Sequence, residues 1–316
     1  MNPTSHVPLA PFTSLRVGGA ADRFVLARTA NELAGALEWA QQQTVPVRVI
    51  GGGSNLLIAD EGTDGLVVKT AHAQSEVVER DGRPVLVAEA GVTLANLARR
   101  LAKQGWSGLE WAANVPGTVG GAAVNNAGAF GGETAQCLVG VVLVDAAGRR
   151  RRLEPAELEY TYRTSLLKRR ALGDVAVATV ELAVRRADAA ETSARVKTFN
   201  GQRMRSQPRG LSAGSVFANP PGDFAGRLLE AAGLKQAQRG GAQISDVHAN
   251  FIVNPGGATA ADVYHLMRHA QDVVFERTGI WLRPEIELFG RWSAEQRAAL
   301  LGPATAIATR QERGHA

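Results

Sequence analysis

Two stretches nearly free of side chains constrain this chain more than any other feature of its sequence. In the first, Gly51-Gly52-Gly53-Ser54-Asn55-Leu56-Leu57 directly follows the β-branched run Val45–Ile50. In the second, Asn114-Val115-Pro116-Gly117-Thr118-Val119-Gly120-Gly121-Ala122 leads into Asn125-Asn126-Ala127-Gly128-Ala129-Phe130-Gly131-Gly132-Glu133. A core helix wants large apolar residues and a flexible linker wants serine; the second run has neither. Consecutive glycine amides curl into concave nests of N–H donors, and the missing side chains let an anion lie against the backbone. Buried N–H groups left unpaired cost roughly 1–3 kcal/mol each, so these runs call for a partner, and a diphosphate is a fitting one. Neither run carries the Lys-Ser/Thr of a phosphate-binding loop or the G-x-G-x-x-G spacing of a dinucleotide fold. Two separate cradles point to a large dinucleotide-like cofactor; the plainer reading is two unrelated glycine-rich turns.

The rest of the composition sets bounds. A chain of 316 residues, 45% apolar and 21% charged, is long enough for about two domains, or three small ones, with a sizeable core. The single cysteine, Cys137, forms no disulfide within the chain, no apolar stretch approaches the ~18 residues of a membrane span, and residues 1–15 carry no secretory pattern. A soluble cytoplasmic protein is expected. The net charge of +5 suits an anionic small molecule as well as nucleic acid.

Periodicity gives an α+β organisation. A helix capped by Thr29 or Asn31, with Leu33, Ala36, Leu37 and Ala40 inward, precedes the short strands Val45–Ile50 and Leu66–Lys69. A turn at Asp81-Gly82, a strand over Val85–Ala90 and a helical stripe of Leu94, Leu97, Ala98 and Leu101 ended by Gly105 follow. Val139–Asp145 and Arg149–Leu153 read as a hairpin, Val175–Val184 as a strand, and residues 188–210 as a polar helix broken at Gln207-Pro208. Beyond that break come a helix over Phe224–Ala232, a strand over Asn250–Asn254, a long helix capped by Thr259 with Val263, Leu266, Met267, Ala270 and Val274 inward, and a last strand over Ile280–Phe289. The tail after Gly290 is expected to hold at most a loosely attached helix.

Candidate chemistry is sparse. Arg163 lies among tyrosines and hydroxyls in Tyr160-Thr161-Tyr162-Arg163-Thr164-Ser165; it is either a permanently charged carboxylate fork or a surface arginine on a connector. Ser215, in Gly214-Ser215-Val216-Phe217-Ala218-Asn219-Pro220, lacks the elbow of a hydrolase nucleophile, and its bland reading is a turn hydroxyl. In the last strand, Arg283, Glu285 and Glu287 share one face by parity, so either carboxylate reaches a site or meets Arg283 in solvent, and Pro284 marks an edge or bulge. His265 and His269 are four apart on a helix without the glutamate of a zinc-protease motif, and no metal site is expected. The basic runs Arg149–Arg152 and Lys168–Arg170 have no interleaved aromatics and read as exposed hairpin charges.

Taken in order, Gly51–Leu57, Val115–Ala122 with Asn125–Gly132, Tyr162–Ser165, Gly214–Pro220, Gly241-Ala242-Gln243-Ile244-Ser245 and Leu282–Glu285 resemble the successive motifs of the UDP-N-acetylenolpyruvoylglucosamine reductases, the MurB family. The resemblance runs from about Thr13 to Gly290. It implies a two-part FAD-binding region of the vanillyl-alcohol-oxidase/PCMH type, residues 1–70 and 71–208, a C-terminal α+β substrate-binding domain, 209–290, and a tail, 291–316. It further implies non-covalent FAD, NADPH as hydride donor, a UDP-sugar substrate and a role in peptidoglycan precursor synthesis, with no obligate protein partner. By position, Gly51, Gly52, Gly53, Ser54, Asn55 and Leu56, with Val115, Pro116, Gly117, Thr118, Gly120 and Gly121, correspond to the flavin-binding loops. Arg163, Ser215 and Glu285 fall on the catalytic positions, Asn219 falls on a substrate contact, and Arg203 or Arg205 is the candidate for a UDP contact.

The short interval between Arg163 and Ser215 leaves no room for a long tyrosine-bearing substrate loop, which matches the shorter family subclass. Ala218 stands where lysine is common before Asn-Pro, and Glu285 is preferred over Glu287 on the Leu-x-Pro-Glu pattern alone. Two other readings stand beside this one: an FAD-dependent hydroxy-acid or alcohol oxidase of the same fold, and a basic protein that holds nucleic acid.

Overall fold

The computed structural model describes residues 1–302. They divide into two compact units: Met1–Val7, Ala21–Gly53 and Asp64–Arg205 form one, and Pro8–Ala20, Ser54–Thr63 and the residues from Ser206 onward form the other.

The first unit holds two sheets with separate cores. One has the order Thr4–Pro8, Ala20–Ala27, Thr63–Thr70, Val47–Ile50, its last pair parallel with Ile50 opposite Lys69. Helix α1 (Ala30–Gln42) is capped by Thr29, whose hydroxyl accepts the Glu32 N–H at 3.1 Å. Its expected inward residues Leu33, Ala36, Leu37 and Ala40 pack against Leu66 and Val68. The other sheet is antiparallel, in the order Arg150–Leu153, Leu138–Asp145, Val175–Ala183, Arg83–Glu89, Ser75–Arg80. Its hairpin turns through Asp81 and Gly82, both at positive φ, the pairing that matches the twist of the flanking strands. Helix α2 (Leu94–Lys103) lays the expected Leu94, Leu97, Ala98 and Leu101 stripe into the second core, with the short helices α3 (Val119–Asn125) and α4 (Thr134–Cys137) and the polar α5 (Ala189–Ser206) around it. The basic hairpin is neutralised locally: Arg149 pairs with Asp145, Arg151 with Glu157, and Arg152 with Glu154 and the buried Glu181, which Arg80 also meets at 2.6 Å.

The second unit is a sheet in the order Leu211–Ser215, Phe251–Asn254, Ala242–Ile244, Gln238–Arg239. Helices α6 (Ala225–Ala231), α7 (Ala260–Thr278) and α8 (Ala294–Leu301) pack with it. Thr259 and Asp262 close a reciprocal cap at the start of α7, and Val263, Leu266, Met267, Ala270 and Val274 are all buried. Leu56–Ile58 pairs in parallel with Glu287–Phe289, so residues just after the first glycine loop belong to this unit.

Two expectations are corrected. The last strand is confined to Glu287–Phe289; ahead of it the chain makes a single isolated bridge, Phe217 to Pro284, and proline has no N–H to continue a ladder there. The segment after Gly290 is firmly attached. Trp292 stacks on Tyr264 at 5.3 Å and donates its indole N–H to Leu57 O at 3.0 Å. Ser293 caps α8, and Leu300 is buried. Backbone acceptors of this two-turn helix are held as well: the Tyr264 hydroxyl donates to Gln296 O at 3.1 Å and the Gln271 amide to Leu300 O at 3.0 Å. Residues 303–316 of the expected tail lie outside the described residues. No helix among the described residues is long and apolar enough to cross a membrane.

Candidate active site

The two glycine runs meet in the first unit. A Cβ on Gly51 would lie 2.4 Å from Thr118 Oγ1, and one on Gly52 would lie 2.5 Å from Gly117 Cα. The obstruction at Gly51 is a side-chain hydroxyl, but at Gly52 it is backbone that cannot swing aside, so glycine is required at Gly52 for the loops to touch backbone to backbone. Among the described residues, no hydrogen bond ties the N–H groups of Gly52, Gly53 or Ser54 to the rest of the protein. The Gly52 and Gly53 donors, with Gly117 against Gly52, form a neutral stretch of open backbone that fits a dinucleotide diphosphate.

The second run is used differently from the sequence expectation. Its amides are largely met inside the protein: Val119 N–H donates to Val92 O at 2.9 Å, Gly120 N–H to Ala90 O at 3.0 Å, and Gly121 N–H to the Thr118 hydroxyl at 3.3 Å. Helix α3 lies so close to the neighbouring strand that a Cβ on Gly120 would be 2.7 Å from Ala90 Cβ. Smallness here serves close helix-to-strand approach as well as any ligand. Val115 is buried and Pro116 exposed at the start of this loop.

Arg163 sits in a four-residue turn closed by mutual backbone bonds between Thr161 and Thr164. Its φ of +58° is unusual for a residue with a side chain, and such backbone strain concentrates at functional sites. The guanidinium donates to Asn126 O at 3.1 Å and Gly128 O at 2.9 Å, and its carbon lies 5.0 Å from the Tyr162 ring centre. The arginine is therefore built into the second glycine run. Sequence reasoning missed Asn126, which organises this arrangement. It is buried, left-handed at the end of α3, and bonded through its side chain to Thr161 O at 3.1 Å and Ala135 N–H at 3.0 Å. An asparagine in the C-terminal position of a helix of small residues is the signal that marks it.

In the second unit, Ser215 ends the strand Leu211–Ser215 opposite Phe251, after an irregularity in register and Gly214 at φ +77°. Its hydroxyl is half-buried and makes no hydrogen bond among the described residues, so the reading as a turn hydroxyl fails. Glu285 comes beside it through the backbone: Glu285 N–H donates to Val216 O at 2.8 Å, and Ala218 N–H donates to Arg283 O at 2.9 Å. Asn55 donates its side-chain amide to Glu285 O at 3.1 Å, and Glu287 N–H returns to Asn55 O at 2.9 Å. A second missed residue, the buried Asn250, clamps Phe217 through both its N–H, at 2.9 Å, and its carbonyl, at 2.8 Å. Together these bonds fix the chain on the C-terminal side of Ser215.

The remaining candidates are dispersed. Asn219 is exposed and accepts the Ala225 N–H at 3.1 Å at the start of α6. Arg203 belongs to the first unit, where it donates to Asn114 O at 2.5 Å, and burial lowers its pKa. Arg205 is exposed near the end of α5. Burial likewise lowers the pKa of Lys69, which lies opposite Ile50. Both helix histidines, His265 and His269, are exposed, and no group of three His, Cys, Asp or Glu among the described residues is placed to hold a metal.

Comparison with known proteins agrees with these features. An FAD binding domain model matches residues 21–154, and a UDP-N-acetylenolpyruvoylglucosamine reductase C-terminal domain model matches residues 206–289. The UDP-N-acetylenolpyruvoylglucosamine reductase of Synechococcus sp. (strain RCC307) is 44% identical over 306 residues, covering 95% of this chain and 98% of that one. Its counterpart from Chloroflexus aurantiacus is 42% identical over 285 residues, covering 89% and 95%. The crystal structure of UDP-N-acetylenolpyruvylglucosamine reductase (MurB) from Thermus caldophilus matches with a TM-score of 0.77 at 37% identity, over 92% of this chain and 99% of that one. With like sequence and like fold over nearly the full length of both partners, the chain belongs to the UDP-N-acetylenolpyruvoylglucosamine reductase (MurB) family.

Proposed function

We propose that this protein is an NADPH-dependent flavoenzyme that reduces the enolpyruvyl ether of UDP-N-acetyl-3-O-(1-carboxyvinyl)-glucosamine to UDP-N-acetylmuramate, a step of peptidoglycan precursor synthesis. The observation that carries it is the backbone-to-backbone meeting of the two glycine loops at Gly52 and Gly117, in a chain of this family. Non-covalent FAD, when bound, would supply the hydride chemistry that links NADPH to the substrate alkene. Gly51 to Leu56 and Val115 to Gly121 are the segments assigned to hold it.

Hydride addition leaves negative charge on the carbon next to the substrate carboxylate, delocalised as an enolate. Arg163 is assigned to stabilise that charge, since a guanidinium stays protonated and one preorganised donor of this kind is worth about 3–4 kcal/mol in a transition state. Two backbone carbonyls and the Tyr162 ring hold it in place beforehand. Ser215 is assigned to deliver the proton that completes reduction, and its hydroxyl is uncommitted among the described residues. Glu285 assists as a neutral acid or through a donor it orients. Asn219 is assigned to the UDP-sugar. The limits 1–70, 71–208 and 209–290 are proposed for the two flavin subdomains and the substrate domain. A cytoplasmic site of action fits the soluble substrates.

The direct test is a visible spectrum of the purified protein. A flavin spectrum that bleaches anaerobically with NADPH supports the reading, and a colourless protein that takes up no FAD refutes it.

A further inference from the structure

Neither glycine loop contains a cationic side chain, yet a dinucleotide diphosphate carries two negative charges. The chain entering the second loop is gripped by two arginines from different helices. Arg99 of α2 donates to Ala113 O at 2.8 Å, and Arg203 of α5 donates to Asn114 O at 2.5 Å. The two carbonyls are consecutive and immediately precede Val115-Pro116-Gly117-Thr118. Neither arginine is in an ion pair with any described acid, although Arg195 of α5 pairs with Glu110 and Glu191. A part-buried guanidinium without a carboxylate partner is costly to maintain, and burial already lowers the pKa of Arg203. The same corner holds a buried Asn114 amide nitrogen with no partner among the described residues, so side-chain bonding there is incomplete while each of the two carbonyls accepts an arginine bond.

We infer that Arg99 and Arg203 form a positioning clamp that sets the 115–118 loop and places uncompensated positive charge at its shoulder for the anionic diphosphate of FAD. Arg203 then acts through the cofactor loop, and a direct UDP contact is no longer its role. This rests on the flavoenzyme reading above. Bonds from a charged donor are stronger than neutral ones, and an arginine spans a carbonyl in a way lysine reproduces only in part.

The test measures FAD affinity of the apoprotein by flavin fluorescence for Arg203→Met, Arg203→Gln, Arg203→Lys and Arg99→Met, with thermal melting of each apoprotein and the substrate KM and kcat of each FAD-saturated enzyme. Arg203→Met and Arg99→Met are expected to raise the Kd for FAD about tenfold. Arg203→Lys is expected to recover most of the loss, and Arg203→Gln, which keeps a donor without charge, less. The KM for the UDP-sugar is expected to stay within about twofold once FAD saturates. An unchanged Kd for FAD, or a raised substrate KM at saturating FAD, overturns the clamp and leaves the flavoenzyme reading intact. Equal loss in the Lys, Gln and Met variants, in step with apoprotein melting, also overturns it, since that marks a merely structural contact. Wild-type protein that takes up no FAD overturns the flavoenzyme reading and the clamp with it.

Discussion

A Cβ placed on Gly52 falls 2.5 Å from the Cα of Gly117, so two loops remote in sequence are locked together by what they lack. Gly52→Ala forces them apart, because the obstructing atom is backbone and cannot swing aside; overpacking of this kind costs about 1–3 kcal/mol. The expected result is a Kd for FAD at least about tenfold weaker by fluorescence titration. Wild-type affinity in this variant would mean that the loop contact does not shape the cofactor cradle.

Ser215→Ala separates the two half-reactions. Loss of a general acid typically costs about 10²–10⁴-fold, and the loss is expected only in the oxidative half. Stopped-flow reduction by NADPH should keep its wild-type rate while reoxidation by the enolpyruvyl substrate slows. Normal turnover would remove Ser215 as the proton donor.

Arg163→Lys keeps a charge but cannot satisfy the carbonyls of both Asn126 and Gly128 while presenting a planar fork. A fall in kcat of about 10²–10³-fold is expected, with flavin reduction by NADPH preserved. Slowing confined to the NADPH step would instead assign Arg163 to the nicotinamide.

Much of this was legible in advance, for reasons visible in particular residues. Thr259 with Asp262, and the Val263 to Val274 stripe, marked α7 because capping and helical period agree there. Gly51–Gly53 announced a loop that needs open backbone. What escaped was long-range. That Gly120 is small because Ala90 lies against it, that Asn126 holds the turn of Arg163, and that Asn250 grips Phe217 depend on partners tens of residues away. Local pattern also overextended the last strand, since alternation persists through Pro284 where the ladder cannot. The attachment of α8 hid behind a segment poor in large apolar residues, of which Trp292 and Leu300 are buried and Leu301 is exposed.

Trp292→Ala tests that attachment. Losing the stack on Tyr264, the bond to Leu57 and the buried ring is expected to cost about 3–5 kcal/mol in urea unfolding. A change below about 1 kcal/mol would restore the view of a loose tail.

Cys137 is buried, and desolvation raises its pKa to about 12. The native thiol stays protonated where an unfolded one ionises, so this group's contribution to stability is full below the unfolded value and falls as pH rises above about 8.5–9. Alkylation at pH 8 is expected to be negligible in native protein and rapid in guanidinium; fast native labelling would show the site to be open.

The most direct measurement is a single turnover without oxygen. Protein loaded with FAD is reduced with one equivalent of NADPH and then mixed with enolpyruvyl-UDP-N-acetylglucosamine. Flavin absorbance is expected to return as one UDP-N-acetylmuramate forms per flavin; a flavin that stays reduced in the presence of that substrate would contradict the assigned reaction.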